Sequence, residues 1–169
     1  LKDGVISDDT RIKAALPTIK YVLENGAKSL VLMSHLGDPK KDMAKAKEKA
    51  EKAGEAFDEE KYINGKHKMA PVAKRLAEYI AKDVKVAPDC MSDETKKMVE
   101  ALDNGEVLLL ENTRFHKQET SKEAAERDEM AKVLATYGEV YINDAFGTAH
   151  RDHASTASIC KFVDGPCVA

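Results

Sequence analysis

The sequence has few of the residues that mark secreted or metal-binding proteins. Its 169 residues include three cysteines, Cys90, Cys160 and Cys167, none of them spaced as Cys-x-x-Cys. Each has apolar neighbours, and no histidine lies at metal-ligand spacing from them. An odd number of cysteines in this setting predicts buried free thiols in a reducing compartment, and neither a disulfide framework nor a metal site.

Long apolar runs and an excess of one charge are also missing. No stretch approaches the roughly 20 apolar residues that span a membrane, and the first residues carry no signal-peptide pattern. The net charge is −3, with both signs mixed along the chain, which gives no general attraction to nucleic acid or anionic lipid. We therefore expect a globular, cytoplasmic protein without nucleic-acid or membrane partners, in which any anion site is local.

Three motifs that mark a nucleotide site or a catalytic nucleophile are absent from the sequence. The chain has no G-x-x-x-x-G-K-[ST] phosphate loop and no G-x-G-x-x-G fingerprint. It also lacks the nucleophile elbow G-x-S-x-G. These patterns predict no ATP or dinucleotide site within this chain, and they disfavour a dinucleotide-dependent oxidoreductase on a similar sheet.

What the sequence does contain is an alternation of short apolar runs with amphipathic stretches. The apolar runs are nearly continuous, as expected for strands covered on both faces, and occupy residues 29–33, 84–87, 107–110 and 140–142. The amphipathic stretches predict helices at residues 11–23, 70–81, 93–102 and about 122–137. Together they predict an α/β fold of three layers, a Rossmann-like parallel sheet with helices on both faces.

Capping signals agree with the predicted helices. Asp8 or Asp9 is placed to cap the first helix, and Ser92 to cap the third. Asn25-Gly26 and Gly138 mark two helix ends. Residues 1–4 predict a turn that is entered from an earlier strand, so we expect a fragment of a longer domain.

A stretch rich in lysine and glutamate, about residues 40–68, interrupts the alternation. Between residues 44 and 53 Ala, Lys and Glu alternate, so the helix propensity is high but the apolar stripe is thin. We predict an exposed helical insertion or a mobile excursion that adds almost nothing to the core. Two interpretations stay open, a solvated charged face or an arm that binds a protein partner.

Cationic and hydrogen-bonding side chains follow three of the predicted strands. Ligands bind outside the carboxyl ends of the strands in an open parallel sheet. The residues at these ends, or at the start of the first helix, are Arg11, His35, Arg114, His150, Arg151 and His153. Guanidinium groups match phosphate oxygens, and Gly37 and Gly147 allow backbone amides to come close. The pattern predicts a site for a small phosphorylated anion.

Each of these residues also has an interpretation that needs no ligand. Arginines such as Arg11 and Arg114 often form surface ion pairs, and His35 and His150 fit histidines with a structural role. Asn143-Asp144 favours hydrogen bonds that tie a loop together over a direct ligand role. The two remaining histidines, His67 and His116, are predicted to be ordinary exposed side chains.

Six ordered segments resemble phosphoglycerate kinases, specifically their N-terminal, 3-phosphoglycerate-binding domain. They include S-H-L-G at residues 34–37, L-L-E-N-x-R-F at 109–115 and N-D-A-F-G-T-A-H-R at 143–151. The other similar segments are residues 9–19, 70–73 and 87–90. The resemblance covers nearly all of residues 1–169 outside the insertion, and it identifies the chain as part of that domain.

The resemblance implies reversible phosphoryl transfer between 1,3-bisphosphoglycerate with ADP and 3-phosphoglycerate with ATP, a step of glycolysis. It implies that Arg11, His35, Arg114 and Arg151 hold the phosphoglycerate, and that Arg11 is catalytic because it approaches the phosphoryl group in flight. His150 joins them as a substrate-binding candidate from its place on the rim. In the family, ATP or ADP binds with Mg²⁺ on a C-terminal domain that lies outside this chain. The family's first strand also lies outside it. We expect the isolated chain to be inactive.

One position departs from the family pattern. Ser-His-Leu-Gly is followed by Asp38, where the family has a substrate-binding arginine. A carboxylate that faces an anion at ~4 Å is repelled by about 4 kcal/mol near a protein surface, or about a thousandfold in affinity. Asp38 therefore points away from the ligand, or it marks a non-catalytic relative whose kinase-derived domain docks into a larger assembly.

Overall fold

The predicted helices and strands are all present, with their ends moved by one or two residues. A computed structural model describes residue 1 and residues 4–169; the predicted turn at 1–4 includes two residues outside this part. The helices are α1 (Thr10–Glu24), α2 (Pro39–Ala53), α3 (Glu59–Lys66), α4 (Ala70–Ile80), α5 (Asp93–Glu100) and α6 (Ala124–Ala135). The strands are β1 (Ser29–Leu32), β2 (Val84–Val86), β3 (Glu106–Leu109), β4 (Tyr141–Ile142) and β5 (Cys167–Val168).

Strand β3 lies at the centre of a parallel sheet in the order β1-β3-β2. Val107 is the register partner of Leu30 on one side and of Val84 on the other. Its neighbour Leu108 is fully buried. The continuous apolar run in β3 follows from this position, because a central parallel strand is covered on both faces.

Helices cover both faces of this sheet. Alternate residues of β3 face opposite layers, as the two-residue period of a strand requires. One face packs against α1 and α4 in a cluster that contains Ile19, Ala73, Leu76, Val107 and Leu109. The other face packs against α6 in a cluster that contains Leu108, Leu110, Met130, Ala131 and Leu134. The three-layer prediction is confirmed.

The fourth predicted strand pairs differently from the other three. β4 forms a separate parallel pair with β5, with Tyr141 opposite Cys167. In the part of the chain that the structure describes, no strand joins this pair to the larger sheet. Tyr141 is still buried in the same cluster as Leu108 and Leu110, so the two sheets share a core. The sequence analysis did not predict β5, because two residues after Pro166 are too few to show a period.

The lysine-rich stretch folds into the two helices α2 and α3. Pro39 is the only buried residue of α2, and α3 has none. The two helices contact each other, since the Tyr62 hydroxyl donates to the Asp42 carbonyl at 3.1 Å. The Tyr62 ring also lies 5.4 Å from that of Phe57. These contacts join the two helices of the stretch to each other.

The end of this stretch corrects two predictions. His67, expected to be exposed, is only 2% exposed, so the stretch does contribute to the interior. Its Nδ1 lies 3.0 Å from the Leu36 carbonyl oxygen in the loop after β1. A histidine at the end of a helix has no local signal for burial. This one is buried because the loop brings an acceptor to it.

The cysteines follow the prediction only in part. Cys90 is buried, and its Sγ donates to the Glu111 carbonyl at 2.9 Å. Burial raises the pKa of the Cys90 thiol. Cys160 and Cys167 are exposed, contrary to expectation. Cys160 lies in the short turn Ser158–Lys161, whose first two residues take the buried positions, and Cys167 lies in the two-residue strand β5.

The predicted cap of α5 is confirmed, and the structure distinguishes the two candidate caps of α1. Ser92 accepts from the Thr95 amide at 3.2 Å. At α1, Asp8 accepts from the Thr10 amide at 2.8 Å, whereas the Asp9 carboxylate accepts from the Tyr79 hydroxyl. Asp9 therefore ties the start of α1 to α4. None of the helices in the described part of the chain has both the length and the apolar content needed to cross a bilayer.

The turn after β1 requires glycine at position 37. Its φ is +66°, in the region that side chains disfavour, and an added Cβ would lie 2.9 Å from the Asp42 Oδ2 and 3.0 Å from the His67 Cε1. The backbone of Gly37 thus lies directly against α2 and the end of α3. A side chain at this position would meet both a strained dihedral and two close neighbours.

We expect Gly37→Ala to lower the free energy of unfolding by about 2 kcal/mol, because left-handed strain of ~1–2 kcal/mol adds to the contacts with Asp42 and His67. Urea unfolding of the protein measures this. Gly147→Ala is the matched control, because a Cβ there meets nothing within 4 Å. Equal losses in the two variants would contradict the role given to the Gly37 turn.

Candidate functional site

The loops after β1 and β3 are fastened together by Asn112, which is fully buried. Its Oδ1 accepts from the amides of Leu36 at 3.3 Å and Arg114 at 3.1 Å. Its Nδ2 donates to the carbonyls of Leu36 at 2.9 Å and His67 at 3.0 Å. All four hydrogen-bonding positions of the amide are therefore used. The bonds place His35 and Arg114 on the same rim of the sheet.

Arg114 reaches from the β3 loop to the β1 loop. Its Nη1 donates to the Gly37 carbonyl at 2.8 Å, while its buried Nε has no hydrogen-bond partner in the part that the structure describes. No described carboxylate lies within ion-pair distance of the guanidinium, nor of the exposed Arg11 in the first turn of α1. The surface ion-pair interpretation is therefore not supported for either arginine, and both keep donors for an anion.

The segment after β4 is held to the β3 loop by Glu119, which lies in the short turn Lys117–Thr120. Its carboxylate accepts from the Thr113 hydroxyl at 3.3 Å and from the Ser155 amide and hydroxyl at 3.0 and 2.6 Å. A second anchor is the pair of Arg127 and Asp152. These contacts hold Asp152 and Ser155, which follow Arg151 in the chain.

Positive charges at the rim contribute to lowered pKa values for two of its histidines. Burial lowers the pKa of His35 to about 4, with further lowering by the charges of Arg114, His153, Arg11 and Arg151. Burial also lowers the pKa of His153, again with Arg114 and Arg151 contributing. In salt, a charge shifts the pKa of another group only at short range. The charges of Arg114, Arg11 and Arg151 therefore act on His35 through space, and His35 is neutral at pH 7.

The family model described as phosphoglycerate kinase matches residues 1–169, which include this rim. This chain belongs to the phosphoglycerate kinase family. The phosphoglycerate kinase of Treponema pallidum (strain Nichols) is 49% identical over 163 residues, which are 96% of this chain and 38% of that protein. The one from Aquifex aeolicus is 46% identical over 162 residues, 96% of this chain and 34% of that protein.

Solved structures of the family share the fold. A phosphoglycerate kinase from Pyrococcus horikoshii superposes with a TM-score of 0.77 at 29% identity, covering 100% of this chain and 36% of that protein. The structure from Coxiella burnetii gives 0.70 at 31% identity, covering 99% of this chain and 35% of that protein. The chain spans about a third of the length of these relatives and matches their N-terminal part.

Asp38, the departure from the family pattern, points its carboxylate at α2. Its Oδ1 accepts from the Lys41 amide at 3.2 Å, and its Oδ2 lies 3.4 Å from the Lys41 Nζ. Burial alone would raise the pKa of Asp38, but the Lys41 hydrogen bonds and the charges of Lys41 and Arg114 lower it overall. The carboxylate is therefore ionised and occupied as a helix cap, while still within the electrostatic reach of Arg114.

The remaining substrate-binding candidate, His150, is exposed, and none of the described residues makes a hydrogen bond or ion pair with its side chain. Asn143 accepts from the Ala145 amide at 3.0 Å, the loop-tying role predicted for it. His116 corrects the prediction of exposure, because its side chain is 17% exposed and its Nε2 lies 3.0 Å from the Asp89 Oδ2.

The sequence analysis missed two residues that build the rim. Asn112 lies inside a recognised motif, but nothing in the sequence indicates that its amide bonds two loops. Glu119 lies in a polar run without periodicity, so no pattern distinguishes it from an exposed glutamate. Among the described residues, no group of three His, Cys, Asp or Glu side chains is arranged to hold a metal ion.

We expect the free energy of unfolding to fall as the pH drops from about 6.5 to about 4, because His35 takes up a proton in the unfolded chain before it does in the folded one. His35→Gln removes this proton uptake, so its unfolding free energy should depend less on pH in that window. Urea unfolding at pH 6.5 and 4.5 measures the difference. His150→Gln, at an exposed side chain, is the matched control, and equal slopes in both variants would contradict the prediction.

Proposed function

We propose that this chain is the substrate-binding part of a phosphoglycerate kinase, in which it holds 3-phosphoglycerate or 1,3-bisphosphoglycerate. The parent protein would transfer the phosphoryl group reversibly between 1,3-bisphosphoglycerate with ADP and 3-phosphoglycerate with ATP, in glycolysis. The observation that supports this most is the Arg114 guanidinium, which donates to the Gly37 carbonyl at 2.8 Å in the loop that carries His35 and acts on that imidazole together with the charges of Arg11 and Arg151, in a chain of this family. A chain with a net charge of −3 thus concentrates positive charge at one rim.

The residues of the rim suit a phosphorylated carboxylate. Arg114 and Arg151 offer forked donors that match phosphate or carboxylate oxygens, and the neutral imidazole of His35 adds one donor and one acceptor. Arg11 lies in the first turn of α1 and keeps its guanidinium exposed. We assign Arg11 to the phosphoryl group in transfer, where positioning and charge stabilisation provide most of the catalysis. His150 stays a proposed substrate contact from its loop position.

The rest of the enzyme lies beyond this chain. ATP or ADP with Mg²⁺ would bind on a C-terminal domain, and a first strand would precede α1. The sheets support the strand, since β1 and β4 each have one edge without a strand partner among the described residues, while both contribute to one core. A parallel strand between them would make one continuous sheet. We place the reaction in the cytoplasm, where free thiols such as Cys160 stay reduced.

Two observations favour a second function, a kinase-derived domain that docks into a larger assembly. Asp38 replaces a substrate-binding arginine of the family pattern, and α2 and α3 form an exposed charged segment suited to a protein partner. Against this, the Asp38 carboxylate is occupied in capping α2, and the arginine cluster is intact. The catalytic function therefore fits the rim better.

Calorimetric titration of the full-length parent with 3-phosphoglycerate, followed by an ATP-coupled kinase assay, tests the proposal. Binding with turnover is the expected result, and a folded parent with neither would favour the docking function. The chain of residues 1–169 alone should show no turnover in the same assay, because the proposal assigns ATP to another domain. Turnover by this fragment would overturn the assignment of ATP to another domain.

We expect Arg114→Ala in the parent to weaken 3-phosphoglycerate binding by about 1.5–3 kcal/mol, the range for a charge-assisted hydrogen bond. Calorimetry measures the affinity. Lys85→Ala is the control, because it removes a cation that pairs with Glu106 at 2.6 Å, at the amino end of β3 and opposite the rim. An unchanged affinity in Arg114→Ala would remove Arg114 from the site.

We expect Asp38→Asn in the parent to tighten 3-phosphoglycerate binding several-fold, because asparagine keeps the cap of α2 but removes a negative charge near Arg114. Asp58→Asn is the matched control, since Asp58 caps α3 through the Lys61 amide at 2.9 Å in the same way. If Asp38→Asn binds no better than wild type, the carboxylate lies outside the field of the ligand.

A further inference from the structure

Glu119 is a buried carboxylate that forms no ion pair with a lysine or arginine among the described residues. It has no assigned part in ligand binding. Its side chain is 1% exposed, and the nearest basic group among the described residues, the His153 Nδ1, lies 3.9 Å from its Oε1. Burial raises the pKa of Glu119, while the hydrogen bonds from Ser155 and Thr113 and the charge of Arg114 act in the opposite direction. Burying a carboxylate at such a position costs free energy unless hydrogen bonds from the surrounding structure compensate it.

The donors to Glu119 come from both sides of the anion site. The Thr113 hydroxyl, at 3.3 Å, belongs to the residue before Arg114. The Ser155 amide and hydroxyl, at 3.0 and 2.6 Å, lie just after Arg151 and His153. The Glu119 backbone adds a third link, because its carbonyl accepts from the Ala154 amide at 3.0 Å.

No strand ladder sets the distance between these two loops. β3 and β4 belong to different sheets in the described part of the chain, so their backbones exchange no hydrogen bonds. The spacing of Arg114 from Arg151 therefore depends on other links between the loops, which Glu119 makes through its carbonyl and its side chain. Glu119 is the side chain whose hydrogen bonds reach both.

We propose that Glu119 is a positioning residue of the anion site: its carboxylate fixes the spacing between Arg114 and the Arg151–His153 segment, and so sets the affinity for phosphoglycerate. The inference rests on the proposed function, since it takes phosphoglycerate as the ligand. Glu119 touches no ligand in this role. It acts through the two loops that carry the arginines.

A carboxylate suits this role better than an amide does. Three donors converge on its two oxygens, and only a carboxylate offers acceptors at both positions. In Glu119→Gln an NH₂ group at the Oε2 position would face the Ser155 amide, which cannot accept, whereas at the Oε1 position it would turn the Thr113 and Ser155 hydroxyls from donors into acceptors. The variant keeps the volume of the side chain but removes the negative charge to which all three donors bond, so the links between the loops become weaker.

A double-mutant cycle in the full-length parent tests the proposal. The affinity for 3-phosphoglycerate is measured by calorimetry in wild type, Glu119→Gln, Arg151→Ala and the double variant. We expect Glu119→Gln to weaken binding about tenfold in the wild-type background and less than twofold in the Arg151→Ala background, because the interaction that it positions is then gone. A purely structural role would lower the unfolding temperature while the folded protein binds with unchanged affinity, or would give equal losses in both backgrounds. Either result would overturn the inference.

Asp128→Asn is the matched control. It makes the same carboxyl-to-amide change on α6, where Asp128 pairs with Lys161 at 2.9 Å, and it should leave the affinity unchanged. If Glu119→Gln does not fold, Thr113→Val and Ser155→Ala each remove a donor to Glu119 and replace it in the cycle, with the same expected coupling to Arg151. Wild-type protein that binds no 3-phosphoglycerate would overturn the proposed function together with this inference, whereas wild-type binding without coupling would overturn the inference alone.

Discussion

The structure of the rim depends on a buried amide, that of Asn112. An amide in the interior costs about 1–3 kcal/mol for each hydrogen-bonding group left without a partner, so its environment must supply two donors and two acceptors. Here they come from Leu36, Arg114 and His67, in the loops after β1 and β3 and at the end of α3. These segments are distant in sequence, and the amide can be satisfied only when all three meet. The same condition that makes the core stable therefore brings His35 to Arg114.

Much of the fold could be predicted from the sequence because its causes are local. Strands such as β3 are apolar on both faces since helices cover both, and Ser92 caps α5 through a residue three positions away. The meeting of the loops that carry His35 and Arg114 could be predicted for the same reason, because a parallel sheet directs its strand ends to one edge. The pairing of β4 with β5 could not, since it depends on two dipeptides separated by a long loop.

The errors at His67 and His116 concern polar side chains whose environment comes from distant parts of the chain. His67 is buried by the Leu36 carbonyl, and His116 is held by Asp89; neither partner is a sequence neighbour. Asp38 shows the converse. Its charge suggested repulsion of the ligand, but the pattern Asp38-Pro39 with Lys41 three positions on is that of a capped helix start, which the local sequence already contained. Chemistry that depends on one side chain's direction requires the structure.

The arrangement of the arginines also bears on how rigid this part of the protein is. Arg11, Arg114 and Arg151 belong to three different segments and carry like charges, which add to burial in lowering the pKa of His35. A phosphorylated ligand of opposite charge would act as an additional structural element, joining α1 to the two loops and stabilising the folded state in proportion to its concentration. The anion would then be a component of the fold, and an empty site would be its least ordered state.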